Sequence, residues 1–526
     1  MTSSHWYRSW PAQLLASLLL PPLGLILLWM RPGTRTPRKI LGSLLLAILG
    51  VAYLHKFFGL RMEMDGTGIR PILSFSRPES HYTALEENRQ RQRETLPQVS
   101  TAPAVQTPLP EIREESRSLA TQPAKTAAVA APLKLPTAYW TDFRGPGRDG
   151  RYSELKIDTH WPVGGPRLLW RQPVGGGYAS FVIADGRAFT IEQRRNQEVV
   201  AAYEVATGRE LWTHGWEAEF RESMGGDGPR ATPTWHSGRL YALGAQGELR
   251  CLNADNGKQV WAVNILKDNQ AANITWGMAA SPLIVDDKVI VLPGGSAGKS
   301  VVAYDRFSGI PIWKVLDDQQ AYTSPMLVTL AGKRQILVVS ARRAMGLAVE
   351  DGALLWDYPW VTEYGINTAQ PIILGENRFF ISAGYGHGSA MVEVASKGEK
   401  FSAKTVWENT RMKNKFTSSV LENGYLYGLD EAILACIQAD TGELKWKGGR
   451  YGYGQVLLAD GHLIMLSESG ELALVKATPD GYQELARFQA IEGKTWNHPA
   501  MGGGRLLVRN GNQMACFGLL DGRGTE

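Results

Sequence analysis

From residue 137 to the C-terminus, short apolar runs alternate with tight polar turns. One stretch reads Phe181-Val182-Ile183-Ala184, a turn at Asp185-Gly186, Ala188-Phe189-Thr190-Ile191, then Val199-Val200-Ala201-Ala202-Tyr203. Short strands bounded by Gly and Asp predict an all-β fold. Upstream the pattern changes. Residues 12–30 and 40–60 are nearly all apolar, and each is long enough as a helix to cross a hydrocarbon core. Arg31, Arg35, Arg38 and Lys39 lie between them. The positive-inside rule makes this basic loop cytoplasmic. Residues 1–60 therefore read as a transmembrane helical hairpin, with everything after Leu60 facing outward. A cleaved signal peptide, or an anchor made of the second segment alone, is the alternative. Residues 61–136 are rich in Pro, Ala, Thr, Gln, Glu and Arg. Beyond a transient helix near Glu86 to Glu94, they read as a disordered tether.

The strands repeat. The stretch from Ala303 to Trp313 ends one strand, turns at Gly309 and starts the next. The pairs Gly208 and Trp212, Gly257 and Trp261, Gly309 and Trp313, Gly352 and Trp356, and Gly442 and Trp446 share its spacing. Three copies are worn: Gly398 with a late Trp407, Gly481 with Phe488 as the aromatic, and Gly522 with no aromatic after it. Eight turn glycines about 45 residues apart predict an eight-bladed β-propeller with four-stranded blades over residues 137–526. The last blade lacks a strand, which the segment around Trp170 supplies, closing the ring with both ends of the chain. Glycine accepts positive φ in the turn. The tryptophan offers a large face to seal one blade against the next.

Composition changes this picture little. The chain of 526 residues is 44% apolar with net charge +5, too weakly basic to suggest nucleic acid. Cys251, Cys436 and Cys516 share one repeat position in non-adjacent blades, which predicts buried thiols too far apart to bridge. Gly145 to Gly150 spells G-x-G-x-x-G without the strand and helix a dinucleotide site needs. Gly294 to Ser300 resembles a phosphate loop but leads into a strand, so it reads as a hairpin turn. No metal-ligand spacing and no catalytic set is apparent. Small polar clusters precede the first strand of most blades: Arg230 to Pro233, Ala280 to Pro282, Thr323 to Pro325, Asn367 to Ala369, Phe416 to Ser419 and Trp496 to Pro499. They should converge at one mouth of the channel. Either small residues are needed where strands crowd the axis, or the clusters build a binding funnel from Arg230, Trp276, Asn367, Trp496 and His498.

The repeat from Ala303 to Trp313 resembles the PQQ-type, quinoprotein-like propeller repeat. Asp142 to Pro146 and Gly228 to Pro233 are similar to its BamB-like branch. The resemblance covers about residues 139–526 and implies one of two functions. Quinoprotein dehydrogenases hold pyrroloquinoline quinone on a tryptophan floor with calcium and a catalytic aspartate. The other class is a non-catalytic envelope scaffold. This chain has no adjacent cysteines, compact blades, and no position onto which a calcium set or catalytic aspartate maps. It also has no Leu-x-x-Cys lipid-attachment site near the N-terminus. The expectation is a membrane-anchored scaffold at the inner membrane. Its monomeric ring would face the periplasm and bind envelope proteins or ligands, without a cofactor or metal. A quinone-dependent dehydrogenase and an envelope-polysaccharide binding or processing protein are the alternatives.

Overall fold

The structure is a computed structural model that describes residues 21–30, 34–58, 60–64, 71–75, 78–94 and 138–520. Eight sheets form the expected propeller, each built on an antiparallel four-stranded meander that follows chain order except in blade eight. Blade two, for example, comprises Thr234–His236, Arg239–Leu243, Glu248–Asn253 and Gln259–Asn264. Blade eight takes Ala500–Gly502, Arg505–Arg509 and Gln513–Gly518 from the C-terminal end and Arg167–Pro173 from the start of the ring. Cys516 stands opposite Trp170, so the closing strand is where the repeat count places it. Gly294 to Ser300 is a hairpin turn pinned by a Gly295–Lys299 bridge.

Strand register explains the repeat. In six blades the tryptophan faces a small residue just before a bulge: Ala202–Trp212, Cys251–Trp261, Ala303–Trp313, Gly346–Trp356, Cys436–Trp446 and Cys516–Trp170. A larger partner would overpack the indole. All three cysteines are buried and unbridged. Most of the tryptophans serve the following blade rather than their own turn. Trp170 lies under Gly208, Trp212 under Gly257, Trp261 under Gly309, Trp313 under Gly352 and Trp407 under Gly442. A Cβ on any of these glycines would meet the indole at 2.5–2.8 Å. Their φ values of 69–75° independently disfavour a side chain. Indole N–H groups complete the fastening: Trp170, Trp212, Trp261, Trp407 and Trp446 donate to the carbonyls of Val205, Ala254, Arg306, Ala439 and Thr478 in the next blade.

Two copies, one worn and one intact, behave differently from expectation. In blade seven the bulge places Ala486 opposite Leu474, at the tryptophan position. Phe488, read as the replacement, lies two residues further along and packs edge-on against Trp161 and Phe517. Trp356 turns inward, donating to Gln335 Oε1 at 2.6 Å and stacking on Phe379. Gly398 has open space around it, and Gly522 lies outside the described residues.

Residues 138–152 plug the channel. Ala138–Trp140 pairs with the inner strand of blade one, and Arg151–Tyr152 runs parallel to the inner strand of blade seven. Between them the Gly145 to Gly150 loop turns inside the ring, and its two arginines are buried. Arg148 donates to the carbonyls of Ser281, Pro282 and Pro325 and pairs with Asp142 at 3.0 Å. Arg144 donates to the Ser419 carbonyl at 2.8 Å. The glycine-rich motif is thus a plug tip bound to blades three, four and six.

The tether reading needs correction where it can be checked. Leu60–Met64 and Pro71–Phe75 pair as a hairpin, and Pro78–Glu94 is a helix docked on the seam between blades eight and one. The rest of 61–136 lies outside the described residues. This helix buries Leu85 and Arg89. Arg89 donates to Gln172 Oε1 and the Pro173 carbonyl at 2.9 Å, lies 3.3 Å from Glu210 and covers the Tyr203 ring. His81 reaches the Val174 carbonyl at 2.8 Å, and Arg195 pairs with Glu79 and Glu86. Beneath it, buried Glu192 bonds Arg194, Tyr203 and the Gly175 N–H. Burial alone would raise its pKa, but Arg194, Arg509 and Arg89 outweigh burial and hold it at about 2.

Thr36–Lys56 is long and apolar enough to cross a membrane. Residues 12–20 of the first apolar segment lie outside the described residues, and Pro21–Met30 is helical.

Two substitutions test these fasteners. Gly309→Ala should lower the melting temperature more than Gly332→Ala, because both have φ near 75° but Gly332 has open space. Strain costs each about 1 kcal/mol, and overpacking adds about 1–3 kcal/mol to the first. Arg89→Ala should expose residues 78–94 to limited proteolysis while the ring stays resistant; unchanged protection would show that the docking does not depend on this arginine.

Candidate functional site

The polar clusters ahead of the inner strands meet around the axis and bond from blade to blade. Ser180 N donates to Thr232 Oγ1, Thr234 Oγ1 to the Pro282 carbonyl, and Ser281 N to Ser324 Oγ. Ser324 N donates to Gln370 Oε1 and Gln370 N to Ser418 Oγ. Gln455 Nε2 donates to the carbonyls of both Phe416 and Trp496, and Ser180 Oγ to that of His498. These bonds form a closed hydrogen-bonded hoop through all eight blades. Short polar side chains are therefore required here to satisfy backbone groups that the sheets leave unpaired.

Above the hoop the linkers between blades enclose a cavity of about 270 Å³. The plug closes its floor, where Phe143 meets His498 edge-on at 5.9 Å. Its wall is aromatic. Tyr178, Trp496 and Phe416 form a continuous stack with centroid separations of 5.5 and 4.8 Å. Trp276 and Tyr322 meet at 5.8 Å and 56°. Burial pushes the Tyr322 and Tyr385 phenols up to about 12, so both keep their protons. Two cations reach the lining, Arg230 and Lys415, and no carboxylate does. Lys415 Nζ sits 4.5, 4.7 and 5.4 Å from the centroids of Tyr385, Tyr453 and Phe416.

Four of the five residues expected in a funnel line this cavity. Arg230 covers the Phe220 ring at 4.5 Å and donates to the carbonyls of Gly226 and Gly228, so its head is held in place. Trp496 is fixed by donation to Glu468 Oε1 at 2.8 Å. His498 has Nδ1 at 2.8 Å from the Pro499 carbonyl and Nε2 at 3.1 Å from that of Val456. Burial, with Arg144 beside it, lowers its pKa to about 3, so it stays neutral. Trp276 faces Tyr322 across the mouth. Asn367 is the exception: only 2% exposed, it donates to the Ser340 carbonyl and braces the wall behind Thr368. The sequence reading missed Phe143, Tyr178, Tyr322, Tyr385 and Lys415. They stand in irregular linkers, where no strand periodicity marks them. The Pro that closes several clusters was the usable signal, because the aromatics sit within a few residues of it.

Fold and site together define an eight-bladed propeller with a plugged axis and a blind, aromatic, cationic bowl. Residues 195–448, just under half of the chain, match the family model described as outer membrane protein assembly factor BamB. The quinohemoprotein alcohol dehydrogenase ADH-IIG of Pseudomonas putida is 25% identical over 219 residues, 39% of this chain and 29% of its own length. The assembly factor BamB of Yersinia pestis is 20% identical over 312 residues, 56% of this chain and 75% of its own. The solved ADHIIG structure from P. putida HK5 superposes with a TM-score of 0.54 at 13% identity, covering 73% of this chain and 80% of that one. The ring is similar to the PQQ-like repeat propellers of both the BamB and the quinoprotein dehydrogenase branches. The chain spans under a third of the length of the matched dehydrogenase and three quarters of that of the assembly factor.

A calcium ion beside a quinone calls for oxygen donors, chiefly carboxylates, and the lining carries none. Among the described residues no three His, Cys, Asp or Glu side chains gather to hold a metal.

His498 gives a pH test of the floor. Its folded pKa of about 3 lies below the ordinary 6.5. Above pH 6.5 both states are neutral and the histidine costs nothing. As pH falls, only the unfolded chain takes up the proton, so stability is lost progressively down to pH 3. At pH 5 the loss is about 2 kcal/mol. Urea denaturation of His498→Gln should show a smaller drop between pH 7.5 and 5 than wild type; parallel profiles would place the histidine in water.

Proposed function

We propose that this chain is a membrane-anchored envelope propeller acting as a non-catalytic scaffold for protein partners. The observation that carries this reading is the chemistry of the bowl: rings and cations, without the acidic donors of a quinone and calcium site. The similarity to BamB supports it at the level of the family. On this reading no cofactor is required. The ring works as a monomer on the periplasmic side of the inner membrane.

The N-terminal helices supply the anchor. Trp29 Nε1 donates to Ser43 Oγ at 2.9 Å and Lys39 Nζ to the Trp29 carbonyl at 3.0 Å, which supports a transmembrane hairpin within residues 1–60. The docked helix sets the orientation. Its first turns touch Val174 and Arg195, both on the bowl side of the ring. The chain arriving from the membrane thus meets the ring on that side, and the bowl is turned toward the membrane. Met224, Val361 and Tyr364 are half or more exposed on linkers around the rim and offer apolar surface for a partner.

A photo-crosslinking residue at Tyr364 in native membranes should capture discrete envelope proteins, and a periplasm-dependent reporter after Glu526 should be active. Dye reduction by alcohols on adding the quinone and calcium to the purified chain would overturn the scaffold reading.

A further inference from the structure

Blade one buries two glutamates completely and surrounds them in opposite ways. Glu192 bonds Arg194, Tyr203 and the Gly175 N–H, with the charges of Arg509 and Arg89 close by. Glu198 accepts one bond, from the Ala245 N–H to Oε1 at 2.8 Å, and its Oε2 has no hydrogen-bond partner. We infer that Glu198 is a proton switch behind the bowl wall. Neutral, it lets blades one and two close on each other; ionised, it pulls on Arg230 and loosens the linker that this arginine ties together. The inference does not depend on the scaffold reading.

The seat of the carboxyl is tight. Glu198 lies near the start of the strand Gln197–Glu204, with Gln193 opposite on one side and Trp216 on the other. Toward blade two it lies against Gly244, where a Cβ would overlap Oε2 and meet the Trp216 ring at 3.1 Å. A buried carboxylate with one oxygen unpaired is far costlier than the neutral acid. The proton therefore stays on to a higher pH than at the surface, and burial pushes the Glu198 pKa up to about 7. Glu192 is buried as deeply but its arginines hold it at about 2, so surroundings rather than depth decide.

The charged and titratable groups around it come from three elements. Glu248 and Arg250 belong to the strand Glu248–Asn253 of blade two, Arg230 to the linker before that blade, and His214 to the outer strand of blade one. Arg250 covers the Trp216 ring at 4.6 Å, and its head bonds His214 and Gln259. Burial and Arg250 lower the His214 pKa, so this imidazole is neutral where Glu198 changes charge. Glu248 opposes ionisation of Glu198 and Arg230 favours it.

Arg230 couples this group to the bowl. Its head ties the linker down through the carbonyls of Gly226 and Gly228 and stands over the Phe220 ring at 4.5 Å. Gln193, opposite Glu198, holds the Phe220 N–H through Oε1 at 2.9 Å. Met224, Gly225 and Arg230 of the same linker line the bowl. A full negative charge in a low-dielectric interior attracts a guanidinium more strongly than a carbonyl dipole does. When the proton leaves, Glu198 competes with the two glycine carbonyls for Arg230, and residues 220–230 loosen with the wall they form.

The test is difference infrared spectroscopy and hydrogen exchange on the full chain in detergent, from about pH 5.5 to about pH 8.5. Wild type should lose a protonated-carboxyl band with a midpoint of about 7, and Glu198→Gln should lack that band. Arg230→Met, which removes the favourable charge, should move the midpoint to higher pH. At about pH 8, exchange of residues 220–230 should be about tenfold faster in wild type than in Glu198→Gln, which mimics the neutral acid; at about pH 6 the two should match. The folded pKa of about 7 lies above the ordinary 4.5, so stability is fully present below pH 4.5 and lost as pH rises to 7. The advantage of Glu198→Gln over wild type in urea should therefore grow across that window and level off above it. Melting curves check that both variants fold, and the wild-type midpoint stands without them. A wild-type midpoint below about pH 6, a band that persists in folded Glu198→Gln, a midpoint unmoved in folded Arg230→Met, or equal linker exchange at about pH 8 would each overturn the inference.

Discussion

Eight strands cannot meet around one axis without stranding the backbone groups at their entrances. Those groups sit away from water, where an unpaired N–H or carbonyl costs about 1–3 kcal/mol. The hoop from Ser180 through Thr232, Ser281, Ser324, Gln370, Ser418 and Gln455 back to His498 answers that constraint. Each member uses a short side chain to reach the neighbouring blade, so the hoop fixes blade spacing at the axis. The plug supplies what the hoop does not. Arg148 takes the carbonyls of Ser281 and Pro325 and shares that of Pro282 with Thr234, and Arg144 takes one from blade six. Burial lowers the Arg144 pKa to about 10, which still leaves it charged at neutral pH. Two buried guanidinium groups are tolerated because nearly all their neighbours are acceptors.

At the outer edge the same problem of spacing is solved by shape. An indole under a glycine of the next blade is a contact that tolerates no Cβ, and the N–H bond to the following carbonyl sets its angle. Where it is present the fastening runs one way around the ring, each blade holding the one after it; blade four turns its tryptophan inward and blade seven has Ala486 in its place. This is why closure matters: Trp170 comes from the start of the ring, so blade eight grips blade one through Gly208. The docked helix lies over this same seam, where Gln172 also bonds the Gly208 carbonyl. The join between the two ends of the ring thus has a second clamp that no other blade junction shows among the described residues.

The sequence displays some of these devices and hides others for identifiable reasons. The repeat is visible because most blades keep a glycine that tolerates no Cβ together with the indole that packs under it. The small partner position is visible as well, since alanine and cysteine alternate there. Phe488 misled because this blade has an alanine where the others have tryptophan, and the next aromatic was read in its place; the register puts Ala486 at that position. The 78–94 helix escaped because its docking is polar. Apart from Leu85 it is held by Arg89, His81 and the Arg195 pairs, so it carries no apolar stripe to find. Asn367 looked like a ligand-facing amide because its cluster resembles the others, yet its side chain points back to Ser340. The bowl tyrosines lie in linkers where neither strand nor helix period applies.

The two roles once weighed for the polar clusters turn out to be stacked rather than exclusive. Within each linker the residue nearest the strand joins the hoop, and a residue a few places earlier lines the bowl. Ser324 and Tyr322, Ser418 and Phe416, and Thr232 and Arg230 all follow this order. The hoop therefore holds most of the bowl residues at fixed positions without using their side chains, Ser324 and Gln455 alone belonging to both layers. This separates stability from recognition. Chemistry in the bowl can vary while the hoop below it stays intact, which is how one ring architecture can carry the different functions found among its relatives. In this chain the variable layer is aromatic and cationic. Its fixed aromatic faces need little ordering on binding, so ligand contacts formed there would keep most of their free energy.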